Sequence, residues 1–434
     1  MTLLNLAGLA VAGLVGLAVV EASIRRSSVG AVLVLAAFLL ETYLWHVELA
    51  IFLGPFRISL NDVVFVILIT ATAARLLRLQ RLTTPQRLLM LFSALIVWSL
   101  VRGALTISLT DSVNNARSFL GFMAAALYFS TVEARRDLLD RIGTLWLGAA
   151  LALAFLVLLR WAAYVAGISS GILGQQTSLR VIAASTTLIL AQGALIALPW
   201  LLDQRRGFLR LVGPTLLVFV VLLQHRTVWV VTIVGVIYLL WRERALNQRM
   251  LAGLLASAAV FFVLVVTVFQ GQDDEIAEQL SESAQDTRTF EWRVQGWTAI
   301  MRDSGPEGPT EWLVGRPMGS GWDRVLPNGW FVDVSPHNYY IEALLRVGVI
   351  GLATILAVYA IALRGTADAH PDHGFEPGLL TPNVLHVVIA VQLVYFIPYS
   401  PDMAQAMLLG LGCAVSVGSR GPAYPVLTGS EQNT

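Results

Sequence analysis

LVGPTLLVFVVLL (Leu211–Leu223), QHRT (Gln224–Thr227) and VWVVTIVGVIYLLW (Val228–Trp241) follow one another without a break, and the reading of these pieces decides the fold. Two continuous apolar runs flank a polar turn. A half-buried strand would alternate apolar and polar positions, and neither run does, so both read as helices apolar on every side. Lipid forces each backbone polar group to be satisfied within the chain, which admits only helices or closed barrels. The pattern predicts two membrane-crossing helices joined by a tight turn.

Working outward, the same pattern repeats. Apolar runs near the roughly 20 residues that a crossing needs recur at 3–20, 29–45, 60–79, 88–105, 116–132, 142–168, 181–202, 251–269, 339–363, 384–399 and 403–417. With the opening pair they predict twelve or thirteen spans. Of the 434 residues, 56% are hydrophobic and 13% charged, and the mean hydropathy is +0.71. That is more apolar surface than a soluble core buries. The expected fold class is therefore all-α: a polytopic membrane protein forming one membrane domain over 1–434, with the lipid bilayer as its first partner. The first run lacks a basic n-region and a small-residue cleavage site, so it reads as a retained anchor. Residues 420–434 read as a flexible cytoplasmic tail. Cys413, the single cysteine, lies in the last apolar run, which excludes a disulfide framework and a cysteine metal site. A net charge of +1 points to no nucleic-acid partner and no polybasic arm.

All 29 basic residues are arginines, and they cluster. Arg25/Arg26, Arg75/Arg78/Arg81/Arg87, Arg135/Arg136/Arg141, Arg205/Arg206/Arg210 and Arg242/Arg244/Arg249 fall after every second run, which makes those loops cytoplasmic by the positive-inside rule. The same parity puts the long segment 270–336 outside. It also strands Arg57, Arg117, Arg180 and Arg226 on the outer face. An arginine at a helix centre costs about 2.5–3.5 kcal/mol on insertion scales. Such placements either snorkel to lipid phosphates or serve an ion, a partner or a substrate.

Segment 270–336 carries twelve acidic residues, five arginines and five of the chain's twelve tryptophans: Trp292, Trp297, Trp312, Trp322 and Trp330. It is long enough to form a small extramembrane subdomain. Ile276–Gln285 and Thr289–Met301 read as helical, and Gly305, Pro306, Gly308 and Pro309 stop the second helix. The tryptophans read either as an interfacial belt or as flat faces that stack on sugars. The segment ends at Ser335-Pro336-His337-Asn338-Tyr339-Tyr340 and runs into a helix carrying Glu342, Arg346, Gly348 and Gly351. His337, facing outside water at a helix start, can cap the first turn or, with an ordinary pKa of about 6.5, accept a proton near neutrality. Glu342 and Arg346, four apart, predict a local ion pair.

Three passages resemble the O-antigen ligase and polymerase superfamily of bacterial membrane enzymes. Arg293-Val294-Gln295-Gly296-Trp297, followed by Val314-Gly315-Arg316-Pro317-Met318-Gly319-Ser320-Gly321, looks like that family's arginine, tryptophan and "Gly-x-Pro-x-Gly-x-Gly" passage. His337-Asn338 with Gly348 and Gly351 looks like its histidine-asparagine motif. Gln224-His225-Arg226-Thr227 looks like its arginine turn. Their order over 181–363 makes that stretch the ligase-related core. Arg346 stands where an acidic residue is common in the family, and Gln224-His225 where small residues are usual. The first 170 residues share only hydropathy and the helix start Ser59-Leu60-Asn61-Asp62.

The resemblance implies a GT-C-like fold and transfer or polymerisation of a polyprenyl-diphosphate-linked glycan onto a glycan or glycolipid acceptor, at the outer face of a bacterial cytoplasmic membrane. Such chemistry builds negative charge on a departing diphosphate. Arginines bind phosphate through a planar fork and stay charged, so Arg226 and Arg293, with Arg180 in support, are the expected diphosphate ligands. His337 is the expected catalytic base, with inversion at the anomeric carbon. Asn338, Arg117 and Trp297 are supporting candidates. The outer face offers no Asp/His set at ligand spacing, so neither metal nor cofactor is expected. The alternative is a flippase or other transporter of lipid-linked glycans, which predicts ionisable residues along a path through the membrane. Ligase and polymerase share fold and donor and differ in acceptor.

Overall fold

The computed structural model describes residues 3–44, 50–53, 56–79, 81–168, 180–202, 204–242, 288–369 and 379–418. These are mostly helical. The elements run α1 (Leu3–Arg25), α2 (Ser27–Tyr43), β1 (Ala50–Leu53), β2 (Phe56–Ser59), α3 (Leu60–Leu76), α4 (Thr84–Thr106), α5 (Leu109–Ser130), α6 (Arg136–Val165), α7 (Ala184–Ala197), α8 (Val212–Leu222) and α9 (Arg226–Arg242). After them come α10 (Arg288–Asp303), α11 (Pro309–Val314), β3 (Arg324–Val325), β4 (Phe331–Val332), α12 (Tyr339–Asp368), α13 (Pro382–Tyr395) and α14 (Met403–Gly418). Among the described residues the strands form two antiparallel hairpins, with Ala50 opposite Ser59 and Arg324 opposite Val332.

Local chemistry sets several boundaries. Ser59 and Asp62 close a capping box at α3, the Ser59 N–H donating to Asp62 Oδ2 at 2.7 Å. At α4 the Thr83 N–H donates to Gln86 Oε1 at 3.0 Å, and Pro85 occupies the first turn and gives up no hydrogen bond there.

Four helical runs, Thr84–Thr106, Arg136–Val165, Ala184–Leu201 and Tyr339–Asp368, are long and apolar enough to cross a membrane. Ser27–Tyr43, Gly207–Leu222, Pro382–Tyr395 and Met403–Gly418 are apolar but shorter. The expected span 251–269, the expected helix 276–285 and the tail 420–434 lie outside the described residues. The interior is made by the second half of α5 with α7, α13 and α14, whose side chains are buried nearly all round. Around them, α4 and α6 are apolar on both sides: α6 buries Trp146, Leu153 and Val157 yet turns Leu151, Phe155 and Leu158 outward. Water would penalise that outward surface by about 25 cal/mol per Å2; lipid does not.

Long-range contacts sort the helix ends into two groups. At one end Arg75 donates to the Ser23 carbonyl at 2.6 Å, Gln86 to the Ser130 carbonyl at 2.9 Å, and Arg242 to Asn383 Oδ1 at 2.9 Å. The Leu379 N–H meets Asp140 Oδ1 there at 2.7 Å. At the other end Asn61 donates to Glu41 at 2.6 Å, Arg160 donates to the Thr42 and Val181 carbonyls, and the Tyr339 N–H donates to the Phe396 carbonyl at 3.0 Å. Arg25, Arg75, Arg135, Arg141 and Arg242 therefore share the first end. Arg57, Arg117, Arg180, Arg226 and Arg293 share the second.

One expectation needs correction. The helix of Glu342 and Arg346 is not continuous, because α12 breaks at Gly348 (φ 69°, ψ −174°). The Leu313–Val314 backbone fills the break, and a Cβ on residue 348 would lie 2.2 Å from the Leu313 carbonyl oxygen. Only glycine tolerates both the left-handed turn and that approach.

Candidate functional site

The site grows from α10. Arg293, Gly296 and Trp297 are three and four apart and so share one face of that helix. The bare Gly296 lets Arg324 approach, a Cβ there standing 3.3 Å from its Nε. Arg324 is 2% exposed and donates from one nitrogen to the carbonyls of Trp322 (2.9 Å) and Val334 (2.7 Å). It thereby clasps both ends of the β3–β4 hairpin and fixes the chain that leaves it. One residue past Ser335, the Pro336 carbonyl accepts from Trp297 Nε1 at 2.7 Å.

His337 follows in the left-handed region at φ 50°. Its backbone N–H reaches Ser335 Oγ at 3.2 Å. The capping role falls to Asn338, whose side chain accepts from the Ile341 N–H at 3.1 Å. The imidazole is thus not used as a cap, and among the described residues it has no hydrogen-bond partner. Partial burial, then the charges of Arg293 and Arg324, hold it below the usual histidine range. Both effects disfavour the imidazolium. Arg293 itself lies over the Tyr399 ring at 4.8 Å, with no carboxylate within ion-pair distance among the described residues.

Glu342 and Arg346 do not close the expected salt bridge. Glu342, 4% exposed, accepts from the hydroxyls of Ser335 and, at 2.7 Å, Ser400. Arg346, 1% exposed, donates to the carbonyls of Pro317 (3.2 Å) and Gly321 (2.8 Å) and lies 3.8 Å from the centre of the Trp322 ring. The i, i+4 rule describes helix faces in water; here both faces are buried, and nearer neutral partners win.

The Gly-x-Pro-x-Gly-x-Gly passage is a wedge between α4, α5 and α12. Ser99 Oγ donates to the Arg316 carbonyl (2.9 Å), Arg102 to that of Gly315 (2.6 Å) and Ser112 Oγ to that of Met318 (3.0 Å). The Met318 N–H returns to the Ser99 carbonyl at 3.1 Å, and the Arg316 N–H donates to the Leu345 carbonyl at 2.6 Å. A Cβ on residue 103 would meet the Met318 oxygen at 2.0 Å, so α4 accepts the wedge only because that position is glycine.

A second turn stands at the same end. Gln224 takes φ 57°, and His225 Nε2 bonds the Ile182 carbonyl at 2.8 Å, which assigns the ring proton to Nε2. Burial, with a smaller contribution from Arg180, lowers the His225 pKa, and the bond to Ile182 opposes them. Arg226 then opens α9. This helix packs antiparallel on α13, Arg242 meeting Asn383 and Tyr238 meeting His386. A Cβ on Gly235 would touch Val391. Carried to the start of α9, that alignment sets Arg226 level with the turn that follows Tyr395 and holds Tyr399.

Of the residues singled out from sequence, His337, Asn338, Arg293 and Trp297 meet at one turn, and Arg226 starts a helix at the same level. The cations that act on His337 are Arg293 and Arg324; Arg226 and Arg180 are not among them. Arg180 instead acts on His225 and lines a cavity of about 480 Å3 with Arg160 and Glu41. Arg117 pairs with Asp62 at 3.6 Å and bonds the Arg57 carbonyl at the edge of a larger cavity, about 670 Å3. That cavity is walled by apolar side chains such as Phe38, Phe65 and Val113 and ends at Pro401–Ala404, beside the turn carrying Tyr399 and Ser400. Arg324, Ser335, Glu342, Tyr399 and Ser400 belong to the site without having been singled out for it. Among the described residues, no three His, Cys, Asp or Glu side chains gather as a metal site. Of the five tryptophans, Trp297 and Trp322 hold the site, Trp312 and Trp330 are exposed, and Trp292 is half-buried. No protein-family model matches the chain, and comparison with curated proteins finds no match.

Proposed function

We propose that the chain is a GT-C-like membrane glycosyltransferase that transfers or polymerises a glycan carried on polyprenyl diphosphate, at the end of the bundle that faces away from the cytoplasm. The observation that carries this reading is the His337 turn: an imidazole with no hydrogen-bond partner among the described residues, electrostatically coupled to an arginine that has no carboxylate there. In this reaction an acceptor hydroxyl attacks the anomeric carbon. The new C–O bond forms as the glycosyl–phosphate bond breaks, the electron pair leaves on the diphosphate, and the hydroxyl proton passes to His337. The product is inverted at that carbon.

The neutral imidazole is the form that takes the proton, and the two arginines favour it. Arg293, with Arg226 at the same level, would hold the diphosphate; partial exclusion of water strengthens such pairing. Arg324, enclosed by backbone carbonyls, shapes the field without touching substrate. The apolar cavity beside the Tyr399–Asp402 turn suits the donor's lipid chain in volume and lining. The separation of arginines between the two ends supports placing His337 outside.

The test is incubation of purified protein with a polyprenyl-diphosphate oligosaccharide and candidate acceptors, without added metal. Released polyprenyl diphosphate should match the amount of lengthened or lipid-attached glycan. Intact donor after long incubation, or donor moved across vesicles without cleavage, would refute the reading.

A further inference from the structure

Glu342 is a buried carboxylate whose partners come from two separate turns. One is Ser335, which donates to Oε1 and whose oxygen receives the His337 backbone N–H at 3.2 Å. The other is Ser400, which donates to Oε2 at 2.7 Å and follows directly on Tyr399, the ring under Arg293. A third tie joins the same two turns from behind, the Tyr339 N–H to the Phe396 carbonyl. Arg346, four residues on, makes its hydrogen bonds to Pro317 and Gly321 and lies over Trp322. Two hydroxyl donors converge on the acid at 342 from opposite sides, and a carboxylate presents an acceptor to each, while the Arg346 charge acts on it without a hydrogen bond.

Resting on the glycosyltransferase reading, we propose that Glu342 is a positioning residue, one carboxylate that sets the separation between the base on the Ser335–Asn338 turn and the diphosphate-holding cation on the Tyr399 turn. Each serine is one arm of the clamp. Ser335 governs where the imidazole points; Ser400 governs where Arg293 can rest. The two arms act on different steps, since the base is needed only as the bond breaks, whereas the cation also holds the donor before that.

The test measures kcat and donor KM for wild type, Ser335→Ala, Ser400→Ala and Glu342→Gln in detergent, with thermal unfolding followed in parallel. Ser335→Ala should lower kcat about tenfold and leave donor KM within about twofold, while Ser400→Ala should raise donor KM about tenfold with a smaller change in kcat. Glu342→Gln, whose amide keeps one acceptor and turns the other into a donor, should show both effects. Equal scaling of kcat and KM by all three variants, tracking a loss of thermal stability, would mean plain structural support and overturn the proposal; so would three variants with wild-type parameters. Absence of transfer by the wild type would instead remove the glycosyltransferase reading, and this inference with it.

Discussion

Among the described residues, Gln224 (φ 57°) and His337 (φ 50°) are the non-glycine positions with positive φ, and both stand shortly before a helix that starts at the same end of the bundle, α9 and α12. Each left-handed residue costs about 1–2 kcal/mol, so neither turn is cheap. In the first, the histidine next to the strained residue is tied to the Ile182 carbonyl and anchors α9 to the approach of α7. In the second, the strained residue is itself the histidine, and Asn338, Ser335 and Trp297 are among the residues that anchor the turn. The same local device commits one imidazole to packing and keeps the other open. A conformational cost borne where the side chain makes no stabilising bond is the pattern expected of a reactive position.

Replacing both histidines separately is the sharpest way to break this comparison. His337→Ala should lower transfer by about 10²–10⁴-fold, the usual span for a general base, with donor still bound. His225→Ala should leave transfer within a few-fold and cost about 1–3 kcal/mol of stability, because the Ile182 carbonyl loses its donor. Reversed outcomes in a paired activity and melting measurement would exchange the roles of the two turns.

Next in size is the charge around the open imidazole. Arg293→Gln should cost about tenfold to a hundredfold in kcat/KM, and Arg226→Lys should recover little activity because the planar fork is lost. An Arg293→Gln variant with wild-type donor affinity would detach that cation from the diphosphate.

The acid limb of the pH–rate profile offers a smaller and more specific readout. With His337 as the proposed base, activity should rise with pH through its pKa, which lies below the ordinary histidine value. Removing the Arg293 charge relieves part of that depression and moves the limb to higher pH. Burial pushes the Asp402 carboxyl up to about 6, and Arg293 is not a cause of that shift. A limb that stays in place in Arg293→Gln therefore does not belong to His337.

The smallest effect tests the strain itself. Gln224→Gly should raise stability by no more than about 1 kcal/mol, since glycine takes the left-handed turn freely, and should leave transfer unchanged. His337→Gly would relieve the same strain yet lose activity. A Gln224→Gly protein that melts markedly earlier would show that the Gln224 side chain, 4% exposed, matters more than its backbone.

Much of this was legible in the chain because the deciding signals are local. Apolar runs, the Ser59–Asp62 box, the stop after Asp303 and the placing of His337 before a helix need only neighbours a few residues away. The break in α12 was not legible: Gly348 looks like any helical glycine until the Leu313–Val314 backbone is brought against it. Nor were the partners of Glu342 and Arg346, which come from positions 335, 400, 317 and 321 and override a pairing rule made for solvated helices. Arg324 carried no mark among the loop's five arginines; burial under Gly296 and two carbonyls sets it apart, and that depends on the hairpin closing.

The wedge of Gly315–Gly321 has a consequence for biogenesis. Ser99 and the carbonyl of Arg316 that it holds are 217 positions apart, so α4 emerges from the ribosome with its notch at Gly103 vacant, long before translation reaches the stretch that fills it. Seating that stretch lays the floor on which Arg346 and the hairpin rest. A nascent chain stalled before Gly315 therefore has its early helices but no floor, and the stretch that completes the site folds back onto helices made long before it.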